Sequence, residues 1–190
     1  MRNSWTEREY FMNSSTNSKH RNSGEGSSID RKTAFLQQLP FFHETALETL
    51  RLYAYLASME KFPAGEPIVV QGEPADRMYL LISGKVGICA DHHGRQFHLQ
   101  LLAPDGVSYF GELALLAEFD WFFSATALTD ATVLTITREA FHRVMEKYPE
   151  QLPKTVSRII KLHVELFVDQ THYLLDHLKE EAWRECGSEQ

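Results

Sequence analysis

The chain has 190 residues, 19 Lys and Arg against 26 Asp and Glu, and a formal net charge of −7. That is length enough for one domain with appendages, and the charge argues against binding nucleic acid or an anionic membrane through bulk attraction. Cys89 and Cys186 lie far apart without metal or redox spacing, which excludes a disulfide framework or an iron–sulfur cluster.

No segment approaches a membrane span and the first residues lack the apolar stretch of a secretory leader, so a cytoplasmic protein is expected. Residues 1–28 are rich in Ser and Asn and predict a disordered arm, with Trp5, Tyr10 and Phe11 as a small aromatic group that could dock on a partner. The start at Met1 suggests a complete chain.

Residues 29–148 are expected to form the folded body. A short helix over Ile29–Leu39 is stopped by Pro40, and a second runs from about Glu44 to Ser58 with Ala46, Leu47, Leu50, Tyr53, Ala54 and Ala57 on one face. The texture then changes to short apolar runs separated by Gly, Pro and Asp turns: Met59–Phe62, Ile68–Val70, Met78–Ile82, Val86–Ala90 and Phe97–Ala103. Two further strands are expected at Phe122–Leu128 and Ala131–Thr137, turning on Thr129-Asp130. The pattern is an antiparallel sandwich, roll or barrel. Between the two groups of strands, Tyr109-Phe110 leads into Gly111 and then into helix-forming residues from Glu112 to Ala117. Free N–H groups at such a helix start make a natural anion site, with Glu112 as an acidic partner.

A short helix is expected at Arg138–Lys147, and a long one from Lys154 to about Trp183 after Pro149 and Pro153. Ile160, Val164, Phe167, Thr171, Leu174 and Leu178 alternate steps of four and three along it, and Ile159, Leu162, Leu166 and Tyr173 form a second stripe. One stripe can face the β domain and the other another chain, so residues 149–190 read as a segment for homodimerisation or for docking into a larger assembly.

The run Gly72-Glu73-Pro74-Ala75-Asp76, then Tyr79, Ile82, Gly84 and Val86, then Phe110-Gly111-Glu112-Leu113-Ala114-Leu115, resembles the cyclic nucleotide-binding domain. That family includes the bacterial catabolite activators and the regulatory subunits of cyclic-AMP-dependent kinase. The resemblance implies a mainly β fold with flanking helices: a double-stranded β-helix, the jelly-roll-like β-roll, with N-terminal helices and a long C-terminal helix. It also implies that Glu112 binds a ribose hydroxyl and that Gly111, Leu113 and Ala114 offer backbone contacts to the cyclic phosphate. An arginine before two small residues completes the family's site. Here Ser124 and Ala125 match the small residues, and Phe123 stands in the arginine's place.

From Gln96 to Thr137 there is no Lys or Arg, while Asp105, Glu112, Glu118, Asp120 and Asp130 are present. Desolvating a cyclic phosphate without a cation is costly, and a long-range substitute would have to come from Arg77, Lys85 or Arg95. With the arginine lost, Glu112 has a structural reading too, as a helix-start residue favoured by the dipole. The aromatic group Trp121-Phe122-Phe123 is expected to plug the vacated pocket with at least one ring, since alternation sets Phe122 and Phe123 on opposite faces.

The expected protein is therefore a non-catalytic regulatory or accessory domain acting through protein contacts, with no cofactor; the alternative is a true cyclic AMP or cyclic GMP receptor with a rearranged phosphate site. His92, His93 and His98 raise a cupin-like metal site, but the adjacent pair sits at a hairpin tip without a nearby Glu, and an exposed turn is the better account. His163, His172 and His177 carry no assigned site. No recognition helix or basic patch follows the long helix, so DNA binding is not expected.

Overall fold

The computed structural model describes residues 28–177. Trp5, Tyr10 and Phe11, the arm around them, Leu178 and Trp183 lie outside the described residues. Helix α1 (Ser28–Leu36) and α2 (Leu47–Leu56) precede ten short strands, with a 3-10 turn at Pro40–Phe42 between them. The strands are β1 (Ser58–Phe62), β2 (Pro67–Val69), β3 (Pro74–Ala75), β4 (Arg77–Ser83), β5 (Val86–His92), β6 (Arg95–Leu102), β7 (Tyr109–Phe110), β8 (Phe119–Asp120), β9 (Ser124–Ala127) and β10 (Ala131–Thr137). Helix α3 (Arg138–Lys147), a 3-10 turn at Pro149–Gln151 and α4 (Leu152–His177) follow.

All pairings are antiparallel. One sheet has the order β1-β10-β4-β7, the second β2-β9-β5-β6, and β3 with β8 forms a two-stranded ribbon. The sheets face each other without closing, as an open jelly-roll-like β-roll. Bulges between Thr132 and Val133 and between Ile88 and Cys89 break the ladders into short segments and bend them.

Strands β4 and β10 are buried on both faces, which is why they read as continuous apolar runs rather than alternating ones. Tyr79, Leu81 and Val133 point into the roll, beside Val86, Ile88 and Phe110. Met78, Leu80, Leu134 and Ile136 point the other way, into a second core with Leu36, Phe41, Phe42, Tyr53, Phe141 and Ile159 from the helices and the first turn. The sheet thus separates two cores, and the Tyr79–Phe110 and Leu80–Tyr109 pairs deliver the chain into Gly111 at its edge.

Several expectations shift. Helices α1 and α2 are shorter than expected, and Leu47 is 49% exposed because α2 begins there and turns its first residue to solvent, while Leu50, Tyr53, Ala54 and Ala57 are buried. Gly72-Glu73-Pro74 is not only a turn, since Pro74 pairs with Asp120. Pro153 does not interrupt a helix but falls in the first turn of α4, where its missing N–H costs no bond. The second stripe on α4 faces the body only as far as Leu162; beyond it Leu166 is 48% exposed, and Val164, Phe167 and Leu174 of the first stripe are exposed as well.

Candidate functional site

The cassette starts where β7 ends. Gly111 adopts a left-handed conformation (φ 82°, ψ 13°), and a Cβ there would stand 2.5 Å from the Trp121 ring and 2.9 Å from the Arg77 carbonyl oxygen. Only glycine meets both demands. The expected helix from Glu112 is a single 3-10 turn, Glu112–Leu115, with Ala114 and Leu115 fully buried as its anchors and Leu113 packed against the helical core. The tight turn spends the amides that a ligand would use: Ala114 N–H donates to the Gly111 carbonyl at 2.9 Å, and Leu116 and Ala117 N–H donate to Leu113. Of the amides expected at this turn, that of Ala114 is taken by the Gly111 carbonyl.

Arg138, the first basic residue after the strands, fixes the other side of the cassette. Its guanidinium donates to the carbonyls of Ala114 (2.6 Å), Ala117 (2.8 Å) and Ala75, and approaches Glu118 at 3.4 Å. Five donors in a fixed fork suit this clamp. Arg77 is engaged as well, in a bidentate contact with Asp76 (2.8 and 3.0 Å) and at 3.7 Å from Glu60; this cation holds the Asp76 carboxyl below its usual range. Lys85 and Arg95 are exposed residues of hairpin turns and strand starts.

Phe123 lies inside the roll at 8% exposure, with ring centroids 5.3 Å from Trp121 and 6.0 Å from Phe110. Tyr79 stacks on Phe110 at 4.9 Å, and Trp121 is 4% exposed. Phe122 points outward at 64% exposure; it and Phe123 lie in a bend, because β9 starts at Ser124 and not at Phe122 as expected. Ser124 accepts a hydrogen bond from Gln71 N–H at 3.0 Å, and Ala125 is fully buried between Val69 and Ile88. The structure thus brings Gly111, Trp121 and Phe123 together around one aromatic cluster, while Ser124 serves the ladder.

Glu112 points away from that cluster, toward α4. Its Oε1 stands 2.9 Å from Nε2 of His163, with the two side chains 14% and 31% exposed. Nε2 makes no aligned hydrogen bond, so the contact is a charge pair more than a directed bond. The carboxylate nevertheless raises the His163 pKa above its ordinary value, against burial, which lowers it. His163, left without a role by its spacing from His172 and His177, is the residue sequence reasoning missed; its position after the buried Ile159 on the same face was the available signal.

His92 and His93 sit at the β5–β6 hairpin tip, with His93 at φ 52°, and His98 meets Cys89 across the ladder (Sγ to Nδ1 3.3 Å). Among the described residues no three His, Cys, Asp or Glu side chains gather as metal ligands. Two clefts lie elsewhere, one of about 200 Å³ lined by Ser28, Lys32 and Met59, the other of about 410 Å³ lined by Lys61, Ser83 and Asp130. On α4, Ile160 (51%), Val164 (54%), Phe167 (68%) and Leu174 (62%) are exposed, and Thr171 donates back to the Phe167 carbonyl.

Residues 59–148 match the family model described as the cyclic nucleotide-binding domain. The chain is 35% identical over 111 residues to the Cyclic AMP receptor protein of Thermus thermophilus, covering 58% of this chain and 50% of that one. It is 32% identical over 112 residues to the cAMP-dependent protein kinase regulatory subunit of Aspergillus niger, covering 59% of this chain and 26% of that one. A crystal structure of a cyclic nucleotide-binding domain from Methylobacillus flagellatus superposes with a TM-score of 0.67 at 15% identity, over 82% of this chain and 86% of the other, a likeness of fold. The chain spans half or less of the two curated relatives.

Proposed function

The chain belongs to the cyclic nucleotide-binding domain family through residues 59–148, and we propose that it is a non-catalytic regulatory or accessory module working through protein contacts along α4. It acts as a homodimer or as a subunit of a larger assembly, without tight binding of cyclic AMP or cyclic GMP. The observation that carries this reading is Phe123 in the aromatic core, at the place where the family's arginine is expected. A cyclic phosphate needs a cation to offset its desolvation. Two guanidiniums beside the cassette, Arg77 and Arg138, are committed to Asp76 and to the cassette's own carbonyls.

The exposed stripe on α4 supports the second half of the reading, because apolar surface of that extent is a mark of association. The same reading places the protein in the cytoplasm; among the described residues no helix is long and apolar enough to cross a membrane. Phe167→Asp or Leu174→Asp is expected to weaken association at least about thirtyfold, the loss typical of an interface hot spot. Light scattering would show a smaller mass, and an unchanged mass counts against the seam.

One observation favours the alternative of a genuine receptor: a relative named for cyclic AMP at 35% identity. Calorimetry separates the two. No heat is expected with cyclic AMP or cyclic GMP at micromolar concentration, and an exothermic isotherm lost in Glu112→Ala would overturn the choice.

A further inference from the structure

Helix α4 is held at its start and bare further on. Thr155 and Ile159 are buried, and Arg158 reaches back to the His43 carbonyl and the Glu44 carboxylate. His163 lies one turn past Ile159 and meets Glu112. Beyond it Val164, Leu166, Phe167, Leu174 and Leu175 are exposed. Glu112 itself cannot drift, because the turn it opens is fixed by Gly111 and clamped by Arg138. A carboxylate so enclosed calls for a countercharge, and the helix supplies one that depends on a proton.

We propose that the Glu112–His163 contact is a proton-operated latch: imidazolium holds α4 past Ile159 against the cassette, and neutral imidazole releases it. Proton occupancy then sets how the apolar stripe from Val164 onward is presented. The inference rests on the reading of α4 as the contact surface.

The direction follows from linkage. Because Glu112 raises the His163 pKa in the folded chain, the stabilisation is full below the unfolded value of about 6.5 and is lost as pH rises through the folded value. Among the described residues, the other charged and titratable groups on the elements around the first half of α4 are His43 and Glu44 after the first turn, Tyr148 and Glu150 before the helix, and Tyr109, Glu118 and Arg138 on the cassette side, the last two at 3.4 Å from each other. Glu44 is taken by Arg158, and on the helix Lys161 pairs with Glu165.

The test uses the full chain without nucleotide. His163 is titrated by NMR, and amide exchange over residues 160–168 is compared between wild type and Glu112→Gln at the same pH, which cancels the intrinsic exchange rate. Wild type is expected to titrate above the ordinary histidine value and Glu112→Gln to fall back toward it. Protection in wild type should exceed that of the variant near roughly pH 6 and match it near roughly pH 9. His163→Gln, which does not titrate, should lose the pH dependence and serves if Glu112→Gln fails to fold. A wild-type His163 titrating at or below the ordinary value, or a protection difference that does not change with pH, overturns the latch. Nucleotide heat or an unchanged Phe167→Asp mass would instead bring down the functional reading and leave the latch standing.

Discussion

Phe123→Arg is expected to unfold much of the roll rather than to restore an anion site. Phe123 is 8% exposed and its ring meets those of Trp121, Phe110 and Phe122 within 6.0 Å. Removing it from that cluster alone costs about 3–5 kcal/mol, as for other buried aromatic truncations. A guanidinium in its place adds an unpaired charge among rings, directly before a strand whose residues from Ser124 are already paired with β2 and β5. A domain's whole stability is about 5–15 kcal/mol, so the variant should show a denaturation midpoint far below wild type, or none. Phe123→Leu, which keeps the site apolar, should cost less than half as much. A folded Phe123→Arg that binds cyclic AMP would mean the rings can move aside and the position is still a phosphate site.

What the sequence made legible depended on how local the cause was. The bounds of β10 and α3 were readable because Thr137 caps α3, accepting from Ala140 N–H at 3.1 Å, directly after a run rich in β-branched residues. The β3–β8 ribbon has two residues a side and no periodicity to detect. The cassette helix was misjudged because helix-forming composition does not distinguish an α turn from the 3-10 turn that the buried Ala114 and Leu115 enforce. The replacement of an arginine by Phe123 came from the family resemblance, and Phe122 and Phe123 do split outward and inward, although both lie in a bend before β9 and not in the strand expected from Phe122. Glu112's partner was not legible. It depends on the line α4 takes from Ile159, which is set by Arg158 reaching the segment after the first 3-10 turn, a contact with no trace in the spacing of either residue.

Gly111→Ala is the sharper test of the cassette, because it separates backbone from packing. The left-handed backbone at φ 82° costs a non-glycine residue roughly 1–2 kcal/mol. Crowding adds about 1–3 kcal/mol, since the new Cβ would lie 2.5 Å from the Trp121 ring and 2.9 Å from the Arg77 carbonyl oxygen. Chemical denaturation should therefore register a loss of about 2–5 kcal/mol, the sum of those two effects. Trp121→Leu opens the ring's space at its own cavity cost but leaves both the carbonyl and the φ in place. The double variant should then be less unstable than the two single losses predict, with a coupling of about 1 kcal/mol or more, as found for side chains in contact. Full additivity would mean that Trp121 does not press on Gly111 and that the cassette's position is set by its backbone alone. In that case the aromatic cluster only occupies the pocket, and Arg138, not Trp121, is what aims Glu112 at α4.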